Sequence, residues 1–212
     1  MRKHFFSGLI FFIAVTLFSS DLILEQTQNI VSGIKTTVYA HKSSINETKG
    51  HYVTDCSGLL TYVIMMTVPQ ALKQVEISAG HKTRRAVNFY DTVVRAGKEK
   101  VPNWQKISGF KNARPGDIIV WVNPPESDDS GHVMIIMESP VPEGKDLFRV
   151  KICDSSKTSH GSDSRTFGSN GVGTGLIWFE TDENTLPLAF RWSSPSSKSV
   201  SRSIVIGRIL SD

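Results

Sequence analysis

The feature that most constrains the fold is a polar turn, TDCSG at 54–58, that runs directly into an apolar stretch at 59–66. Apolar side chains recur there at the spacing of one helix face, with Asp55 or the threonine before it as the N-cap. The spacing predicts a buried helix whose first turn carries Cys56 on the inward face. The positive end of a helix dipole favours the thiolate form of a cysteine. Cys56 is accordingly the candidate nucleophile.

A histidine later in the chain can supply the base that such a nucleophile needs. The segment 132–137 is apolar and predicts a strand that opens on His132. A histidine brought beside a cysteine accepts the thiol proton and later returns it to a leaving group. The sequence therefore predicts that His132 and Cys56 lie together in the fold.

The next predicted strand, 147–154, offers a third polar residue. Strand alternation places Asp154 on the face that carries the large apolar side chains and turns Cys153 to the other face. Asp154 is thus the candidate that orients the imidazole, and His160 competes for that role or contacts substrate. The same alternation argues against a disulfide between Cys153 and Cys56, although a bond is the usual expectation for two cysteines in an exported protein.

The chain divides by composition into three parts. Residues 1–20 have basic side chains at 2–4 and an apolar run at 5–18, which is typical of a secretory signal and too short for a comfortable membrane span. The expected location is therefore secreted, periplasmic or in the cell envelope, with no stable membrane span after cleavage; an uncleaved anchor is the alternative. Residues 21–50 are polar and weakly patterned, and we expect a leader arm or linker. Residues 51–212 are expected to form one domain.

Several strands follow one another through short turns. Beyond a second predicted helix at 83–96, we expect strands at 118–122, 132–137, 147–154, 175–180, 188–192 and 204–209. The run GVGTG at 171–175 is interpreted as a tight connection, because no strand precedes it as in a dinucleotide-binding loop. This order predicts an α+β fold, an antiparallel sheet packed against the helix that starts at Cys56.

Charge and cysteine usage exclude two classes of partner. The net charge of +4 comes from scattered lysines and arginines without interleaved aromatics, so nucleic acid is not an expected partner. The two cysteines form no cluster, and no histidine pair has the spacing of zinc ligands on a helix. We expect neither a metal nor another cofactor.

Taken together, the order of the DCSG helix start, the RPGD turn at 114–117 and the GHV strand start resembles the NlpC-type cell-wall cysteine peptidases of papain-like fold, over residues 52–154. The resemblance implies that Cys56 is the nucleophile, His132 the base and Asp154 the orienting residue. That family also carries a tyrosine before the cysteine, and Tyr52 is the candidate for shaping the oxyanion site, with Ser57 beside it.

The resemblance implies an exported cysteine peptidase or amidase that hydrolyses an amide bond in peptidoglycan stem peptides, or in a related peptide substrate. Two alternatives remain open at this point. The same fold could be a non-catalytic wall-binding or inhibitory module in which Cys56 is vestigial. The same thiolate could also transfer an acyl group to an amine or lipid.

Overall fold

The computed structural model of the protein describes residues 19–77, 80–166 and 168–211. The expected signal segment 1–20 lies outside these residues, except for the two serines that begin the first helix. The α-helices are α1 (Ser19–Gly33), α2 (Cys56–Thr67) and α3 (Ala86–Ala96). Short 3-10 helices occur at Glu47–Lys49, Pro69–Gln74 and Phe110–Asn112.

The strands form two sheets. In chain order they are β1 (Thr36–Tyr39), β2 (Ser44–Asn46), β3 (His51–Thr54), β4 (Trp104–Ile107), β5 (Ile118–Val122), β6 (Gly131–Ile136), β7 (Val141–Pro142), β8 (Leu147–Ser156), β9 (Gly171–Thr181), β10 (Pro187–Arg191), β11 (Ser199–Ser201) and β12 (Ser203–Ile209). The large sheet of the described chain is antiparallel, in the order β11-β10-β9-β8-β6-β5-β12-β4, with β7 paired to β8. The small sheet has the order β1-β3-β2.

Both faces of the large sheet are buried. One face packs against the helices through a cluster that includes Leu60, Phe89 and Cys153. The opposite face packs its own aromatic and aliphatic side chains together, among them Phe148 and Phe179. The predicted alternation in β8 is therefore confirmed, but Cys153 does not point away from a core, because the sheet has a core on each side. Both cysteines are free among the described residues.

The segment 21–50, expected as a leader arm or linker, is instead part of the folded domain. Helix α1 packs against α2, with Ile23 and Ile30 completely buried. Ser20 and Thr27 lie on the same buried stripe, and the Thr27 hydroxyl donates to the Ile23 carbonyl at 2.7 Å. Half of the buried stripe is therefore polar, so the hydrophobic pattern that would predict this helix is weak.

The strand predictions at 118–122, 132–137 and 147–154 are confirmed close to their expected positions. The run at 171–175 differs, because it forms the first half of β9 and is not a connection. The α+β class with a large antiparallel sheet is confirmed. None of the helices in the described part of the chain is both long enough and apolar enough to cross a bilayer.

Candidate active site

Cys56 is the first residue of α2, and its neighbours explain why the helix begins there. Asp55 is the N-cap, in an extended conformation, and its carboxylate accepts the backbone N–H of Gly58 at 2.7 Å. A side chain at Gly58 would collide with the hydroxyls of Ser43 and Thr54, so only glycine permits this close packing. The TDCSG turn thus fixes the Cys56 thiol at the N-terminus of a buried helix.

His132 and Asp154 meet where two strands of the large sheet separate. Strands β6 and β8 are paired only at Ile135 with Cys153 and at Ile136 with Ile152. Beyond these pairs the strands diverge, and His132 Nε2 lies 2.7 Å from Asp154 Oδ2. Because Nε2 is engaged by the carboxylate, Nδ1 is the ring nitrogen available to the thiol.

The electrostatics of His132 favour the protonated ring. Burial alone would lower the pKa of His132, but the negative charge of Cys56 and hydrogen bonds to Asp154 and Cys56 raise it to about 10. A histidine with that pKa is an imidazolium at neutral pH. The site therefore holds the acid form that a leaving amine requires, next to a thiol at a helix start.

Asp154 is completely buried and ionised. Burial alone would raise its pKa, yet the electrostatic interaction with His160 and hydrogen bonds from His132 and His160 hold the pKa far below the usual range. Its Oδ2 accepts from His160 Nε2 at 2.8 Å as well as from His132. The structure thus brings Cys56, His132 and Asp154 together, as the sequence predicts.

His160 lies behind Asp154 and away from the cleft. Its side chain is fully buried, and its ring is 4.1 Å from the ring of Trp192. The expectation that His160 contacts substrate is therefore wrong, because no part of the side chain reaches solvent. Because His160 contacts the Asp154 carboxylate, it supports Asp154 and does not replace it as the group that orients His132.

Tyr52 is also not part of the cleft. It is completely buried among the core side chains packed by the helices, and its hydroxyl has no hydrogen-bond partner among the described residues. Tyr39 occupies the region expected for Tyr52, because the parallel pairing of β1 with β3 places Tyr39 opposite Thr54. Burial raises the pKa of Tyr39, and the negative charge of Cys56 raises it further. Tyr39 therefore lines the cleft, and no local sequence pattern singled it out.

The cleft has two connected halves. The half that contains Cys56 has a volume of about 160 Å³, and the half that contains His132 has a volume of about 150 Å³. Tyr39, Asp129 and Lys157 line both halves. A larger pocket of about 390 Å³ lies beyond the N-cap of α2 but does not include the thiol. Cys56 and His132, the candidate nucleophile and base, both line the smaller cleft.

Ser57 lines the cleft but its hydroxyl is already engaged. Ser57 Oγ donates to Asp55 Oδ1 at 2.9 Å, so it supports the helix cap. The donors better suited to a developing oxyanion are the backbone N–H groups of the first helical turn, which have no partner within the helix. The backbone N–H of Cys56 is the nearest of these to the reacting sulfur.

His132, Asp154 and His160 are also residue types that bind metals, and their ligand atoms lie within 4.8 Å of one another. The Nε2 atoms of His132 and His160 are both at hydrogen-bonding distance from Asp154 Oδ2. The Arg165 guanidinium lies 3.3 Å from the other oxygen of that carboxylate, and its charge opposes a metal cation there. The geometry fits a hydrogen-bonded acid network better than a metal centre.

In comparisons with protein-family models, curated proteins and solved structures, the chain has no match. The side-chain geometry of the cleft is therefore the basis for assigning a function.

Proposed function

We propose that the protein is an exported cysteine peptidase or amidase of NlpC type, with a papain-like arrangement, that hydrolyses an amide bond in peptidoglycan stem peptides. The observation that carries this proposal is that one imidazolium, His132, interacts both with a thiol at a helix N-terminus and with a buried carboxylate. Nucleophile, acid–base group and orienting group in contact form the constellation of covalent amide hydrolysis.

In this mechanism the Cys56 thiolate attacks the carbonyl carbon of the amide and forms a carbon–sulfur bond. The carbonyl oxygen gains negative charge, which the Cys56 backbone N–H and the nearby Tyr39 stabilise. The intermediate collapses as His132 donates its proton to the departing nitrogen, leaving a thioester. Water then loses a proton to His132 and attacks the thioester, so that a carboxylic acid leaves and the Cys56 thiolate and the protonated His132 are restored.

Charges around the cleft favour a substrate that carries groups of both signs. Arg85 and Lys157 line the half that contains the thiol, together with Asp128 and Asp129. Arg85 Nη2 donates to the Asp128 carbonyl at 2.9 Å, which joins the two walls of this half. Stem peptides contain carboxylates and amines, so they complement this mixed lining. The apolar segment at 5–18 supports export to the wall.

The test is to incubate the mature protein with purified peptidoglycans of different stem peptides and to determine the released fragments by mass spectrometry. We expect fragments with new amine and carboxyl ends from one bond type, and their release should be abolished in Cys56→Ala. The matched control is Cys153→Ala, which removes the other buried cysteine and should retain release.

Three outcomes contradict this proposal. Fragment release that persists in Cys56→Ala would remove the thiolate from the mechanism. Fragments joined to an added amine in place of water would indicate acyl transfer. Tight binding to every peptidoglycan without any release would indicate the non-catalytic wall-binding module.

A further inference from the structure

Two glycines of β9, Gly173 and Gly175, allow neighbouring side chains to pack closely against the strand. Gly173 and Gly175 are two residues apart in a strand, so they face the same side of the sheet. A Cβ at Gly173 would lie 2.6 Å from the Arg165 side chain, and one at Gly175 would lie 2.6 Å from His160 Cβ. The alternating glycines therefore leave space for these two side chains.

His160, Asp163 and Arg165, which follow β8, lie on this glycine surface, and two of them contact Asp154. His160 Nε2 is 2.8 Å from Asp154 Oδ2, and Arg165 Nη2 is 3.3 Å from Asp154 Oδ1. Asp163 fixes both residues, because its carboxylate accepts the His160 backbone N–H at 2.7 Å and Arg165 Nη2 at 2.6 Å. The Arg165 side chain also donates to the Gly171 carbonyl.

The contacts with His160 and Arg165 offset part of the free-energy cost of burying the Asp154 carboxylate. An ionised carboxylate removed from water is strongly unfavourable unless cations or hydrogen-bond donors surround it. Asp154 is completely buried. His132 alone would satisfy one side of one oxygen, and the carboxylate could then rotate or take up a proton. His160 occupies the second side of Oδ2, and the Arg165 guanidinium forms an ion pair with Oδ1, so both contacts oppose rotation and protonation of the carboxylate.

We propose that His160 and Arg165 are positioning residues that hold Asp154 in the orientation from which it accepts the His132 Nε2–H. Neither residue contacts substrate, since the side chains of His160 and Arg165 are buried. Their effect on turnover rests on the proposed function, whereas their effect on the His132 ring is independent of it.

The most specific test replaces His160 by each of two amide side chains, glutamine and asparagine. His160→Gln extends its terminal amide to the place of the histidine Nε2, so it can still donate to Asp154. His160→Asn is one methylene shorter and places its amide near the former Nδ1, which has no hydrogen-bond partner among the described residues. His51→Gln is the control for loss of a histidine elsewhere, because His51 is bonded to Thr36 and lies outside the described cleft.

The primary readout is NMR titration of the His132 ring nitrogens, which requires no substrate. We expect His160→Asn to lower the pKa of His132 by about one unit, while His160→Gln and His51→Gln leave it close to wild type. With a cleavable stem peptide, kcat of His160→Asn should fall roughly 10-fold to 100-fold at unchanged KM, and glutamine should restore most of it.

The proposal is overturned if folded His160→Asn keeps the wild-type pKa of His132, or if glutamine and asparagine lower it equally. Should His160→Asn fail to fold, Arg165→Lys provides the second variant. A lysine cannot make the bidentate pair of hydrogen bonds that Arg165 Nε and Nη2 donate to the two Asp163 oxygens. A wild-type pKa of His132 in folded Arg165→Lys would then contradict the proposal. A protein that shows the expected titrations yet cleaves no stem peptide would contradict only the proposed function.

Discussion

Asp154→Asn is expected to reduce turnover by roughly 10⁴-fold, in line with the loss of an orienting carboxylate in other hydrolases. Asp154 Oδ2 is at hydrogen-bonding distance from both His132 and His160, and Oδ1 forms an ion pair with the Arg165 guanidinium at 3.3 Å. An amide has one accepting atom, so either orientation turns its NH₂ group towards another donor. The substitution also removes the negative charge that helps to keep His132 protonated.

The same change should destabilise the fold, because it leaves the buried Arg165 with Asp163 as its remaining carboxylate partner. We expect a loss of about 2–3 kcal/mol in the free energy of unfolding. Urea unfolding and steady-state kinetics on a stem peptide measure the two effects separately. Asp146→Asn, at an exposed loop position, is the control and should change neither. Wild-type turnover in a folded Asp154→Asn protein would exclude the orienting role.

Gly175→Ala is expected to lower the free energy of unfolding by about 2 kcal/mol, within the usual range for overpacking a core. The added methyl group would lie 2.6 Å from His160 Cβ and 3.1 Å from Asp163 Oδ2. Both residues belong to the segment that supports Asp154, so the displaced segment should also reduce turnover by roughly 10-fold or more.

Gly33→Ala is the matched control for this substitution. A Cβ at Gly33 would have its nearest neighbour at 4.0 Å, the hydroxyl of Tyr52. The same chemical change should therefore be tolerated in stability and turnover. Equal effects of the two alanines, measured by urea unfolding and kcat, would show that the glycine surface under His160 is not specifically required.

The central residues of the candidate site could be predicted from the sequence because their signals are local. Asp55 and Gly58 mark the helix start that carries Cys56, and both act within one turn of it. Strand alternation places Asp154 correctly without knowledge of the partner strand. Local rules of capping and alternation therefore suffice for the groups at the centre of the site.

Tyr39 could not be predicted in the same way, because its position depends on pairing between distant segments. The parallel register of β1 with β3 brings it opposite Thr54, and no local pattern specifies that register. Tyr52 was nearer to Cys56 in the chain, but alternation in β3 turns it into the core. Closeness to Cys56 in the sequence therefore did not identify the tyrosine that lines the cleft.

The support behind Asp154 was hidden for a different reason. Glycine is uncommon in strands, so the three glycines of the GVGTG run predict a turn and not a strand. The glycines are required in β9 because His160 and Arg165 approach it closely. Such a requirement becomes visible only when the packed neighbours are known.

The most direct test of the account is the rate of iodoacetamide alkylation at each cysteine, followed by peptide mapping. Cys56 lines the cleft beside the His132 imidazolium, whereas Cys153 is completely buried and burial raises the pKa of its thiol. We predict that Cys56 in the native protein reacts about 100-fold faster than Cys153 near neutral pH, and that His132→Ala slows the reaction of Cys56. Equal rates at the two cysteines, or a Cys56 rate that is indifferent to His132→Ala, would contradict the account.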